Sequence, residues 1–477
     1  MRKTLITYFL TQLFLLNFAQ DKTFNNWHFG SNNIMSFNTT PPSVSNNSGM
    51  YSVESCSSIS DTLLGNTLFY TNGVDVFDRA NNQMPNGFGL NGHPSSTCGA
   101  LIVPFPFNPR KYYIFTVDAQ VGNNGATPTC NCLCYSVVDM NLNSGWGDVA
   151  VKNVLIRNSM TEKMAGYWHA NDSAIWVVTH EWNSNHFLSY LVTSSGVNSI
   201  PVVSAIGSVH SGGLFDENAI GQMKISPDGT KIACVKKVDN TLELFKFDNT
   251  NGTVYDSINV LLKPYYNETY GVEFSPNSNN VYMGTGKTNQ SYLVQYNLST
   301  WNANTILSSS YELIGTNTGR SLGQLELGPD KKIYVANRNI NTLSVINFPD
   351  SNSAACGFTY DQIAVNFPNL GLPIHVPRPT RSKIVKDTTD VVPNNSCDVP
   401  IVPNIVTPNN DGTNDEFKIT CNGSFEFPED LIIYNRWGQE VYNAKKKDSL
   451  NKLSDGTYYY LFSFHELFYK GYVTIVH

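Results

Sequence analysis

Two stretches of the sequence carry side chains that perform hydrolysis or phosphate binding in other settings, and each lacks part of the pattern those tasks need. His180-Glu181 followed by His186 offers two imidazoles and a carboxylate. Zinc-dependent hydrolysis by such a set requires histidines at i and i+4 on one helical face, with the glutamate beside the first. Here the spacing is i and i+6 in a strand-rich stretch, and Asn183-Ser184-Asn185 between them reads as a hairpin turn. Gly286-Lys287-Thr288 matches the end of a phosphate-cradling loop, but Val281 stands where the first glycine is required, and a strand follows instead of a helix. No Gly-x-Ser-x-Gly elbow is present to expose a nucleophilic serine.

Cys130-Asn131-Cys132-Leu133-Cys134 would place three thiols on one face of a strand, where thiolates can meet a metal. Zinc sites usually pair cysteines across a two-residue gap with a second pair at a distance, so disulfides or buried thiols are the favoured reading. The chain has nine cysteines, an odd number that leaves at least one without a cysteine partner. Asp118 and Asp139 are the carboxylates on which an enzymatic reading would rest, as acids lining a channel. No catalytic, cofactor or metal residue is assigned at this level.

The elements that must position these residues are strands. Charged residues are 14% and aromatics 12% of a 477-residue chain, and Gly, Asn, Ser and Thr crowd the segments between apolar runs. That is an all-β profile, long enough for two or more domains. A formal net charge of -7 supplies no dense basic surface for nucleic acid.

One unit recurs. Met223-Lys224-Ile225-Ser226-Pro227-Asp228-Gly229 runs into Ile232–Val235, Val272-Glu273-Phe274-Ser275-Pro276-Asn277 into Val281–Met283, and Leu325-Glu326-Leu327-Gly328-Pro329-Asp330 into Ile333–Val335. The prolines are 49 and 53 residues apart, the period of a four-stranded propeller blade. Weaker copies lie at Ile59–Tyr70, Phe107–Phe115 and His169–Val178. A seventh blade can be assembled from strands around Trp27–Phe37 and a closing stretch around Phe358–Pro377. The expected fold is a β-propeller over residues 21–377, with seven blades chosen and six or eight also open.

Met1-Arg2-Lys3 and the apolar run Leu5–Phe18 have the form of a secretory signal peptide, residues 1–20. No other 18-residue apolar stretch offers a membrane span. Residues 378–396 lose hydrophobic spacing and read as a linker. From 397 to 477 short strands resume, around a turn-rich loop, a hairpin carrying Gly438 and two tyrosine-rich strands, and suggest a small immunoglobulin-like β-sandwich.

This last segment resembles, motif by motif, the type B sorting domain of gliding-motility-associated proteins of the type IX secretion system. The resemblance rests on Thr407, Pro408, Asn409, Asp411, Gly412, Asn414, Asp415 and Phe417, on Asn435-Arg436-Trp437-Gly438, on Asp455, Gly456 and Tyr458, and on Lys470-Gly471. Lys445-Lys446-Lys447-Asp448 stands where the family carries Trp-Asp-Gly. The Asn-Asp-Gly loop at 409–415 has oxygens for Ca2+ without the ligand ladder of an EF-hand, and an Asx-type turn is favoured. Cys397 and Cys421 flank the first strand pair and are the preferred disulfide candidates. The propeller is similar to a family found attached to such domains, through Trp27-His28-Phe29-Gly30, Leu68–Gly73, Met84–Gly87 and Tyr112–Asp118.

The resemblance implies passage through the periplasm and across the outer membrane, with the type IX machinery as partner. The expected product is a secreted or cell-surface propeller that binds a glycan, peptide or surface protein at its central funnel or rim. Two rivals stand beside it: a hydrolase or lyase acting on polysaccharide or peptide, and a structural component of an adhesive or gliding coat. An enzyme would bring ionisable residues from several blades to one mouth.

Overall fold

Apolar strands on either side of each Pro-Asp-Gly-type turn fold back on one another as antiparallel pairs. The computed structural model describes residues 21–119, 131–212, 214–262, 268–287, 290–314 and 321–377, then 402–403, 405–409, 414–421, 424–426, 428, 430–446, 448–464 and 467–477. The 1–20 stretch and the 378–396 linker lie outside them. Chain contacts divide the protein into two units, Met1–Ser382 and Lys383–His477.

In the first unit, the described strands form seven antiparallel sheets in chain order. The first holds β1 (Asn26–Phe29), β2 (Asn33–Ser36) and β3 (Ser43–Ser45); the second β4 (Ser57–Ser60), β5 (Thr67–Thr71) and β6 (Val76–Asp78). The third holds β7 (Ala100–Pro104), β8 (Lys111–Val117), β9 (Cys132–Asp139) and β10 (Asp148–Asn158). The fourth has β11 (Met160–Trp168), β12 (Ile175–Glu181) and β13 (Ser184–Thr193), with β14 (Gly196–Val197) and β15 (Val202–His210) both on β13. The fifth is β16 (Met223–Ile225), β17 (Lys231–Lys236), β18 (Thr241–Asp248) and β19 (Thr253–Leu261). The sixth is β20 (Val272–Phe274), β21 (Asn280–Lys287), β22 (Gln290–Asn297) and β23 (Tyr311–Ile314). The seventh is β24 (Ser321–Leu327), β25 (Ile333–Arg338), β26 (Thr342–Ile346) and β27 (Phe358–Ala364).

Each sheet is a blade. The first strands β1, β4, β7, β11, β16, β20 and β24 touch in succession and form the inner wall. Both faces of the blades are apolar, and a core fills each gap: Phe69 and Ile114 between blades two and three, Phe115 and Tyr190 between three and four, Phe187 and Phe245 between four and five. Val235 and Phe274 join blades five and six, and Tyr282 and Val335 join six and seven. A last core gathers Tyr334 and Val345 of blade seven with Trp27 and Phe29 of blade one and Tyr70 of blade two, which completes the ring.

The repeated turn has one geometry. Gly229, Ser278 and Lys331 occupy its left-handed position, with φ of +68°, +61° and +65°, and their N–H groups donate to the carbonyls of Ser226, Ser275 and Gly328. At Gly229 a Cβ would fall 2.2 Å from the Tyr167 ring, so the close approach requires glycine there.

Ring closure differs from the sequence expectation. Phe358–Ala364 pairs with β26 as the outer strand of blade seven, and β1–β3 form a blade without it. The remaining stretch crosses the seam as a clasp: Asn366 N–H donates to Asn33 Oδ1 at 2.7 Å, Leu370 N–H to Val53 O, and Ile374 N–H to Cys56 O. The clasp thus bonds to β2 and to the segment before β4, while the outer strand of blade two is met by residues 82–87, with Val76 N–H on Gly87 O and Asp78 N–H on Asn82 O.

The second unit is a five-stranded sheet in the order β28 (Ile405–Val406), β34 (Leu467–Ile475), β33 (Gly456–Phe464), β31 (Ile432–Tyr434), β32 (Glu440–Asn443), with β28 parallel to β34, beside a hairpin of β29 (Ile419–Cys421) and β30 (Ser424–Glu426). Val406, Phe417, Ile419, Ile433, Phe462, Val473 and Ile475 make its core.

The seam is testable through Trp27, which is fully buried, lies 5.4 Å edge-on from Tyr334 and donates its indole N–H to Phe24 O at 3.1 Å. Trp27→Ala should destabilise the propeller by about 3–5 kcal/mol in denaturant unfolding. Ile200→Ala, at a side chain 78% exposed, should change it by less than about 0.5 kcal/mol.

Candidate functional site

The inner strands alternate, so residues two apart along them both face the propeller axis, at depths about 7 Å apart. In blades five and seven these are Gln222 with Lys224 and Gln324 with Glu326; in blade six Glu273 is the charged member. Lys224, Glu273 and Glu326 each sit three residues before Pro227, Pro276 and Pro329. The repeat therefore brings them to one level.

There Lys224 Nζ lies 3.0 Å from Glu273 Oε2 and also donates to Glu326 Oε2. Glu326 Oε1 is 3.0 Å from His375 Nδ1 of the clasp, whose ring stacks on Phe24 at 3.4 Å. Burial pushes Glu326 up to about 7, against the pull of Lys224. Burial opposes the charge on Lys224, but Glu273 and Glu326 outweigh it and raise its pKa above the ordinary lysine value.

A second polar layer joins segments that lead into four blades. Tyr270 OH donates to Glu54 Oε2 at 2.7 Å and Ser95 Oγ to Glu54 Oε1 at 3.1 Å. Thr97 donates to Glu162 Oε2 from its N–H at 2.8 Å and its hydroxyl at 2.9 Å, and that hydroxyl is 3.5 Å from Glu54 Oε2. Burial, and after it the Glu162 charge, raises Glu54 to about 8. Glutamines tie the layers to backbone: Gln222 Oε1 accepts from Val272 and Leu325, and Gln324 Oε1 from Leu372.

The axis is thus filled by its own side chains. Gln222, Gln324, Glu162 and Glu326 are at most 1% exposed. Carboxyl groups with near-neutral pKa are present, but their oxygens bond to protein groups. The arrangement works as a polar plug that ties together the inner strands of blades two to seven and the segments that lead into them.

The carboxylates chosen from sequence do not belong to it. Asp139 pairs with Lys111 at 3.5 Å and lies opposite it in the β8–β9 register, whereas Asp118 follows the far end of β8. They are a whole strand apart, on the second and third strands of blade three instead of its inner one. His180 and His186 fall on the two arms of a hairpin, as expected: His186 Nδ1 meets Glu181 Oε2 at 2.9 Å, while buried His180 stacks on His210 at 3.7 Å. Gly286 and Lys287 end strand β21.

Cys132 is in a disulfide, and its sulfur is 3.3 Å from Cys134 Sγ, a free buried thiol; Cys130 lies outside the described residues. A disulfide sulfur is not a thiolate ligand. Among the described residues no three His, Cys, Asp or Glu side chains stand together as a metal site.

The motif positions of the second unit separate into inward and outward ones. Pro408, Phe417 and Tyr458 are buried, with Phe417 5.0 Å from the Tyr460 ring and Tyr458 OH donating to Ser454 O at 2.8 Å. Thr407 N–H closes the loop on Asn414 O at 2.8 Å; Asn409 and Asn414 are exposed and Asp415 half-buried. Asn435 Oδ1 accepts from the N–H groups of Trp437 and Gln439 at 3.0 and 3.1 Å, an Asx turn completed by left-handed Gly438. Trp437 is 70% exposed, with the Arg436 guanidinium 4.2 Å from its ring. Asp455 Oδ1, beside Gly456, accepts from both the N–H and Nδ1 of His477. Lys470 pairs with Leu461, and Gly471 with Tyr460, whose hydroxyl would lie 2.4 Å from any Cβ there. The loop that departs from the family pattern closes on itself, with Lys446 on Glu440 at 2.6 Å and Asp448 Oδ2 accepting from Asn443 N–H at 3.0 Å. Asp411, Gly412 and Cys397, with most of the proposed Ca2+ loop, lie outside the described residues.

Glu54 gives a pH signature. Its folded pKa, about 8, exceeds the ordinary 4.5, so folding retains a proton that unfolding releases, and stability falls as pH rises between those values. Glu54→Gln should remove that part of the slope, up to about 1.4 kcal/mol per pH unit, when unfolding is compared at pH 5, 7 and 9.

Comparison with known proteins bears on each unit. The family described as the CHU_C type IX secretion signal domain matches residues 400–475. No curated protein sequence matches the chain. Among solved structures, a putative 6-phosphogluconolactonase from Bacteroides uniformis is 12% identical over 72% of this chain and 98% of its own, with a TM-score of 0.44. The periplasmic gluconolactonase of Pseudomonas aeruginosa is 13% identical over 58% and 76%, with a TM-score of 0.35. The Dos1 propeller is 13% identical over 52% and 57%, with a TM-score of 0.28. The propeller itself rests on the strand order above. The chain thus carries, behind its β-propeller, a C-terminal domain of the CHU_C type IX secretion signal family, which sends it to the outer cell surface or the medium.

Proposed function

We propose that the protein is an exported binding module, in which residues 397–477 direct transport and residues 21–377 hold a glycan, peptide or surface partner on the propeller rim. The sealed axis is the observation that carries the choice of rim over funnel. Glu54, Glu162, Glu273 and Glu326 converge from several blades, as an enzyme would need, but they are buried and bonded within the protein. A hydrolase or lyase would need them open to substrate.

The rim offers adhesive residues instead. Phe88 and Trp146 are 54% and 38% exposed, with Lys152 4.3 Å from the first ring and Arg79 4.2 Å from the second. Each cation covers one face of its ring, and the exposed part of the ring with the charge behind it suits contact with a sugar or a side chain.

Two measurements test this reading. Deleting residues 397–477 should leave the folded propeller in the periplasm; appearance outside at the full-length level would refute the export assignment. On a glycan and peptide array, Trp146→Ala and Phe88→Ala should each weaken capture by roughly 10-fold, with unfolding midpoints unchanged; turnover of an arrayed glycan would favour the enzyme.

A further inference from the structure

Strand alternation gives the sheet of the C-terminal unit two faces. Val406, Ile433, Tyr458, Val473 and Ile475 point into its core. The register places Tyr434 opposite Tyr459 and Tyr459 opposite Tyr472, so three tyrosines stand side by side across β31, β33 and β34 on the other face. Tyr459 is 45% and Tyr472 62% exposed, and Tyr434 is half-buried. Ile405 of β28, 40% exposed, lies on the same face opposite Thr474, two residues along β34 from Tyr472. Beside it, Ile432 and Leu461 help line a pocket of about 150 Å³ together with Asp430 and Lys445.

A sheet face that meets only water is built from polar side chains. Rings carried side by side on neighbouring strands, whose backbones run about 4.8 Å apart, make an apolar strip with hydroxyl rims, the composition that dominates protein contacts. We propose that this tyrosine face is the surface that a protein of the type IX outer-membrane machinery grips. The inference rests on the export assignment. A secretion signal acts by being recognised, and Phe417 and Tyr458 are buried in the folded domain, so recognition must use the outward positions. The face offers the largest aromatic run among them, and the pocket accepts one side chain of the partner.

The test uses the full chain in a host with an active type IX system. Tyr459→Ser with Tyr472→Ser should lower the exported fraction about tenfold, a loss of one moderate hot spot, and leave folded protein in the periplasm. Tyr459→Phe with Tyr472→Phe should restore export, because the rings are kept. Thermal unfolding of the secretion unit reports folding; if the double serine variant is unstable, Tyr472→Lys, at the most exposed ring, takes its place and should give the same block. Wild-type export of a folded serine or lysine variant overturns the proposal. So does normal export accompanied by lost self-association, which would assign the face to a second copy of the chain. If deletion of residues 397–477 blocks export while these variants do not, the face alone is lost; if the deletion is also harmless, the export assignment falls with it.

Discussion

Closure of the blade ring between Trp27 and Tyr334 is the contact on which the propeller depends, because each blade is apolar on both faces. A linear stack would leave two such faces in water. Joining them brings together residues 333 apart, Asn33 and Asn366, and closing a loop of that length costs about 5 kcal/mol in chain entropy. One hydrogen bond returns about 1 kcal/mol, so the asparagine pair fixes register without supplying the closure. Burial does, at about 1.5–3 kcal/mol for each large side chain, and the seam holds Trp27, Phe29, Tyr334 and Leu372 among others.

Closure also explains the polar axis. Each inner strand is the edge of its sheet, with backbone groups that have no partner strand. Those edges are now inside a protein and must be satisfied. Gln222 accepts from Val272 and Leu325, Glu273 from Leu327, and Glu162 from Thr97. Charged and amide side chains do this at the cost of desolvation. Lys224, shared by Glu273 and Glu326, offsets part of it, and the proton retained by Glu54 removes another charge. A buried ion pair is weak evidence for stability. Its value here is geometric, since it sets the level at which blades five, six and seven meet.

How far the sequence revealed these features depends on how local their causes are. The Pro-Asp-Gly-type turns were legible because a left-handed residue and a fixed return hydrogen bond are properties of five or six consecutive residues. The repeat period made the blades legible and Trp27–Phe37 marked the start of one, while the count of seven stood beside six and eight until the sheets could be counted. Lys224, Glu273 and Glu326 were visible at a constant offset before proline, yet a charged residue between two apolar ones looks the same whether it faces water or an axis. Glu54, Thr97 and Glu162 gave no signal, for they lie outside the repeat and meet only after closure. Asp118 and Asp139 were misplaced for the same reason: strand alternation predicts a face, but not which strand of the blade is innermost. The clasp was misread because its backbone bonds run to residues more than 300 positions away.

In the two units the same period-two alternation is used with opposite sign. Inner propeller strands turn polar residues toward a space that closure has made interior, so charges are buried and must find one another. The outer sheet of the secretion unit turns tyrosines toward a space left exterior, where apolar area remains uncovered. A buried charge needs an internal partner, and Lys224 has two. Tyr434, Tyr459 and Tyr472 pair across the strands and so add about 0.2–1 kcal/mol per pair to the sheet, but Tyr459 and Tyr472 still leave ring area in water. That uncovered area is what the proposed partner would take, on the face that the core of the secretion unit does not use.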